Sequence, residues 1–119
     1  MNQNQELGAY GEKLAAEFLV RQGYRILEMN VKDSYQELDI IAVKGKWLVF
    51  VEVKTRLSQA YGDGIESMSQ KKQRALKYAI SQYIAKHRLY QKEPRGDLIL
   101  VNIDKYKKTA KIKHFQDIL

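Results

Sequence analysis

Residues 37–54 read ELDIIAVKGKWLVFVEVK. Two apolar, strongly β-forming runs flank Gly45-Lys46, which matches the Gly-X pattern of a two-residue type II′ hairpin turn. That turn pairs Lys44 with Trp47 and sets the register: Asp39 falls opposite Glu52 and Glu37 opposite Lys54, with all four on one face. Like charges opposed across strands destabilise a sheet, and ionised side chains are rarely buried without a partner. A divalent cation is the economical remedy for Asp39 and Glu52. Mg²⁺ takes oxygen ligands, typically one or two carboxylates, and completes its octahedron with water and substrate phosphate. Lys54 follows Glu52 by the strand period, so its ammonium shares that face. The alternative is a solvated face on which Glu37 and Lys54 form a weak surface pair. Against it, Leu48 and Phe50 share the face of Glu52 while Val49, Val51 and Val53 crowd the other, as in a strand covered on both sides.

Outward from the hairpin, Gly11, Leu14, Ala15, Phe18, Leu19 and Gln22 recur at helical spacing, which predicts a helix over 8–22 ended by Gly23. Tyr24 to Val31 alternates as a strand, and KDSYQ supplies turn chemistry. TRLSQAYGDGIE reads as a surface loop. Ser67 with Gln70 makes a capping box for a helix to about Tyr90, with Ala75, Leu76, Ala79, Ile80, Tyr83 and Ile84 inward. QKEPRG reads as a connection, followed by the strand DLILVNI and a lysine-rich final strand, AKIKHF. The order αβββαββ makes an α/β domain over 1–119 with a mixed central sheet flanked by helices. A long helix between two strands suits a crossover, so the strands near Val51 and Leu98 should be parallel neighbours.

The 119 residues suit one core, and 21 Lys+Arg against 14 Asp+Glu leave a net charge of +7, which favours a polyanionic partner such as nucleic acid. There is no cysteine, hence no disulfide framework or thiolate metal site. MNQNQELG lacks a signal-peptide core and no apolar run approaches a membrane span, so no membrane partner and a cytoplasmic location are expected. Lys71 and Lys72 extend the inward stripe in the first turns of their helix, where cations oppose the macrodipole and an anion would reverse the penalty. With Gln70 they suit phosphate contacts, unless they snorkel to solvent. Arg56, leaving the charged strand, is placed for a backbone phosphate. The lysines at 105, 107, 108, 111 and 113 serve equally as guards of an edge strand or as DNA contacts. His87 and His114 read as packing residues.

G-x-x-G-E at Gly8–Glu12, then ELDIIA, then VFVEVKTR at Val49–Arg56, then a lysine-rich helix start, resemble the YraN family. These are small bacterial proteins related to archaeal Holliday junction resolvases, within the PD-(D/E)xK nuclease superfamily. The resemblance spans essentially the whole chain and implies a restriction-endonuclease-like core. It implies that Asp39 and Glu52 are metal ligands, with the Val53 carbonyl as a third, that Lys54 is the catalytic lysine, and that Glu12 is a helix-borne acid approaching the same site. Gln36 stands where the family usually has Gly, and Gly96 where Phe is usual. The implied activity is Mg²⁺-dependent cleavage of DNA, branched structures included, with Mn²⁺ expected to substitute; related resolvases act as homodimers, which would suit a junction. The competing readings are a non-catalytic nucleic-acid-binding module on the same fold and a structural α/β domain. Carboxylates facing phosphate serve a binding module poorly without a metal.

Overall fold

The computed structural model describes residues 3–33, 36–57 and 68–119. The elements run α1 (Gln3–Arg21), β1 (Arg25–Asp33), β2 (Gln36–Lys44), β3 (Trp47–Leu57), α2 (Gln70–His87), β4 (Glu93–Asp104) and β5 (Thr109–Phe115). One sheet holds the strands in the order β1-β2-β3-β4-β5. β3 and β4 are parallel, with Val51 beside Asp97 and Glu52 beside Leu98, and the chain crosses between them through α2. The other neighbours are antiparallel. The expected αβββαββ fold is the one observed, and it has the form of a nuclease-like core.

The hairpin forms as its turn dictates. Gly45 takes φ +56°, where a side chain would be strained. Lys44 pairs with Trp47, and the ladder runs without a slip to Ile40 beside Val51. Ile40, Ala42, Val49 and Val51 pack with Ala15 and Leu19 of α1, whereas Ile41, Val43, Leu48 and Phe50 pack with Leu76, Ala79 and Tyr83 of α2. A sheet covered on both sides explains why these runs are apolar throughout.

Several boundaries differ from the sequence expectations. α1 begins at Gln3, and Thr55, Arg56 and Leu57 extend β3 where a loop was expected. Ser67 and most of that loop lie outside the described residues. The cap of α2 is Ser69, whose Oγ accepts the Lys72 N–H at 3.1 Å. The helix ends at His87, and Arg88 takes a left-handed φ of 53°. β4 starts at Glu93, so EPRG is strand: ladder pairing with Trp47 to Phe50 overrides its turn-like composition. Gly96 leaves room for Leu119, whose side chain fills the space a Cβ would need, and the Ile118 N–H donates to the Gly96 carbonyl at 2.7 Å. Among the described residues no helix is long and apolar enough to cross a membrane.

α1 lies close on β3 at Gly11, where an added Cβ would run into the Thr55 side chain, whereas at Gly8 it would meet nothing. Gly8→Ala is therefore expected to stabilise by up to about 1 kcal/mol through helix propensity. Gly11→Ala, despite the same propensity gain, should destabilise by about 1–3 kcal/mol through overpacking. Urea titration of both variants checks the pair, and equal effects would mean that the approach is soft.

Candidate metal centre

Asp39 lies where β2 leaves β3. The hairpin register makes Leu38 to Val53 the next hydrogen-bonded rung after Ile40 to Val51, but the ladder stops short of it. Instead Asp39 Oδ2 accepts the Val53 N–H at 2.8 Å. In a strand the N–H and C=O of one residue point to the same side, so the Val53 carbonyl also faces this gap. The sequence places the acids, and the broken rung opens the space between the strands.

The break also changes which acids share a face. Leu48 and Phe50 pack toward α2, so Glu52, Lys54 and Arg56, in step with them, project from the α2 side of β3. Leu38 is buried on that side as well, although it is in step with Ile40 and Ala42, which face α1. Strand alternation is therefore lost at Asp39. Glu37 turns toward α1 instead of lying opposite Lys54, which corrects the expected one-face arrangement. Carboxylate oxygens of Glu12, Glu37 and Asp39 lie within 4.8 Å of one another. Asn30, at φ 55° in β1, has its amide between Glu12 and Glu37 and, with its nitrogen facing them, donates at 2.7 and 3.0 Å. Sequence reasoning missed both Asn30 and the position of Glu37. A lone Asn within a strand pattern was the available signal, since Asn tolerates the left-handed region.

Asp39 is thus the hinge of the centre, with Glu12 and Glu37 toward α1 and Glu52 toward α2. It is 8% exposed, and burial first, then the Glu52 charge, pushes its carboxyl up to about 7. Burial and the charges of Asp39 and Glu37 bring Glu12 to about 7 as well. Burial also raises Glu52, opposed by Lys72 and Lys54. Glu52 Oε1 stands 3.6 Å from Lys72 Nζ, while the Glu52 side chain is only 10% exposed and its Oε2 is buried with no hydrogen-bond donor. A cavity of about 10 Å³ adjoins the two acids, its remaining walls mostly apolar, with Leu38, Phe50, Leu76, Ile80 and Leu119 among them. An orphaned carboxylate oxygen, a neighbouring aspartate and a carbonyl turned to the same gap form an oxygen-donor set that fits Mg²⁺ or Mn²⁺.

The basic residues separate. Lys72 turns inward to Glu52, but Lys71, expected on the same inward stripe, is exposed, as is Gln70. One residue step is about 100° around a helix, which suffices to turn Lys71 out. Lys54 and Arg56 are half-buried on the face of Glu52. His114 bonds Asp97 rather than any site acid.

Comparison with known proteins agrees with the resemblance in ELDIIA and VFVEVKTR. Residues 11–101 match the family described as "Uncharacterised protein family UPF0102", a span that includes Glu12, Glu37, Asp39 and Glu52. A UPF0102 protein of Alkaliphilus metalliredigens is 42% identical over 105 residues, covering 88% of this chain and 92% of that protein. Those of Alkaliphilus oremlandii and Rhodococcus opacus are each 36% identical, over 96% and 98% of this chain and 97% and 98% of their own lengths. The chain therefore belongs to the UPF0102 family, that of YraN.

Proposed function

We propose that this protein is a metal-dependent endonuclease that hydrolyses DNA phosphodiester bonds, branched DNA being the preferred class. The observation that carries this reading is the pairing of Asp39 with Glu52, whose Oε2 is buried without a donor, beside Lys54 on a cationic face. Two buried acids at a broken sheet rung weaken a fold, and a cation offsets that cost. Mg²⁺ held by Asp39, Glu52 and the Val53 carbonyl would polarise a phosphoryl oxygen and acidify a water. Asp39 is kept in place by the Val53 N–H. Lys54 orients the attacking water and offsets charge that grows on the phosphoryl oxygens. Glu12, on α1, reaches the same centre from the other side of the sheet and holds water on it.

One observation favours the second reading, a nucleic-acid-binding module that does not cleave: Lys72 already supplies Glu52 with a counter-charge. The two readings part on divalent ions. Millimolar Mg²⁺ or Mn²⁺ is expected to raise the melting temperature, because a ligand specific to the native state must. With Mn²⁺, flapped and four-way DNAs should be cut faster than single strands or plain duplex, and Glu52→Ala should cut none. No thermal shift and no cleavage would leave the binding module as the answer.

A further inference from the structure

The register across β3, β4 and β5 assembles a surface that no single segment reveals. Glu52 pairs with Leu98, Lys54 with Leu100 and Arg56 with Asn102. Leu98 pairs in turn with Phe115, Leu100 with Lys113 and Asn102 with Lys111. Leu98 and Phe115 pack on the α2 side, and strand alternation carries Leu100, Asn102, Lys113 and Lys111 to that side too. Two rows result: Lys54, Leu100, Lys113, and then Arg56, Asn102, Lys111. Both lie directly beyond Glu52 on its own face. Lys111 and Lys113 are exposed, and neither makes an ion pair with a described residue. The nearest acid in the next row, Asp104, is tied into the following turn, accepting the Tyr106 and Lys107 N–H groups at 3.0 and 3.1 Å. Lys71 stands at the adjoining start of α2, also exposed.

We propose that Lys111 and Lys113 continue a phosphate track from the metal centre across the sheet, so that a duplex arm of the substrate lies over β3, β4 and β5 rather than along them. This rests on the endonuclease reading and specifies how that site holds its DNA. Two strand spacings separate Lys54 from Lys113 by about 10 Å. At 3.4 Å of rise per phosphate along one strand, that span is about three nucleotides. The lysines of β5 therefore grip duplex about three nucleotides from the phosphate at the metal centre. The charge pattern favours DNA over an acidic protein segment because Lys54, Arg56, Lys111 and Lys113 form a two-by-two array with no acid in either row, suited to a regular polyanion.

The test is the salt dependence of binding of a blunt duplex by the full-length protein in EDTA, where nothing is cut. Each phosphate contact contributes about 0.9 to the slope of log affinity against log salt, so Lys111→Gln/Lys113→Gln should flatten it by about 1.8. The double Arg variant should restore the slope. Lys77→Gln/Lys86→Gln, an equal loss of charge on α2, should leave it unchanged. An unchanged slope in the β5 variant, an equal loss in the α2 control, or a defect confined to anionic vesicles overturns the track. Self-association of the β5 variant at unchanged slope does the same and makes the lysines edge guards. Failure of the wild type to bind duplex overturns the track; failure to bind four-way DNA as well, even at low salt, overturns the endonuclease reading too, which separates the two failures.

Discussion

Asp39→Asn is expected to lose Mn²⁺-dependent cleavage by at least a hundredfold while the metal-free protein becomes more stable by about 1–3 kcal/mol at pH 8. The amide can still accept the Val53 N–H, so what is removed is the charge beside Glu52 and Glu12. The gain has a definite pH dependence. Asp39 and Glu12 titrate near 7 in the folded protein, raised from the ordinary 3.8 and 4.5. The native state then holds protons that the unfolded chain has released, so their contribution to stability is complete below about pH 4 and is lost as the pH rises through about 7. Metal-free wild type should therefore weaken between pH 4 and 7, and Asp39→Asn should show a flatter profile. Mg²⁺ should restore stability at the upper end for the wild type and restore much less for the variant. Lys54→Ala provides the contrast: the thermal shift with Mg²⁺ persists while cleavage falls about a hundredfold. Denaturant titrations at several pH values, run beside the cleavage assay, decide the matter. A strongly destabilised Asp39→Asn, or one that cuts like wild type, would make these acids structural.

The second large effect belongs to a different acid. Asp97 is 1% exposed and accepts from Arg95 Nε at 3.0 Å and from a terminal guanidinium nitrogen at 2.9 Å. It also bonds His114 Nε2 at 2.7 Å and accepts the Asp117 N–H at 3.0 Å. Burial alone would raise its carboxyl, but the bonds from His114, Arg95 and Asp117 outweigh it and hold the group below the usual range. The network ties β4, β5 and the segment after β5 beneath α1, where Phe18 and Tyr24 set their rings against His114. Among the described residues, Asp97→Ala leaves the buried Arg95 cation with only the Tyr24 hydroxyl and the Tyr24 and Trp47 rings, and breaking such a pair from one side costs about 3–5 kcal/mol. The melting temperature should fall by on the order of 10–20 °C. Because the Asp97 carboxyl is depressed, its contribution is present above about pH 4 and lost as the pH falls further, opposite in sense to Asp39. A loss under 1 kcal/mol by urea titration would show that Tyr24 and Trp47 suffice to hold the Arg95 cation.

Sequence alone determined the hairpin, its register and the order of elements. Gly45 followed by Lys46 matches one tight turn, and that turn fixes the pairing of the continuous apolar runs on both sides of it. The stripe through Leu76, Ala79 and Tyr83 was equally legible, because helical periodicity is a local property. The approach of Glu12 was implied by family resemblance and allowed by its place at the edge of the apolar stripe, whereas Gly8 and Gly11 read alike as close-approach residues or a plain helix start, and only the fold puts the contact at Gly11. Three features needed the folded chain. The side of the sheet that Glu37 faces depends on a rung that fails at Asp39, where a side chain competes successfully for the Val53 N–H. The partnership of Arg95, Asp97 and His114 joins residues of β4 and β5, which only the antiparallel ladder between those strands brings together, and EPRG looked like a turn until β3 lay beside it. Lys111 and Lys113 could guard an edge or bind phosphate on composition alone; only the register of β4 against β5 puts them on the face of Glu52. Local pattern determines which atoms can pair, whereas the long-range ladder decides which charges become neighbours.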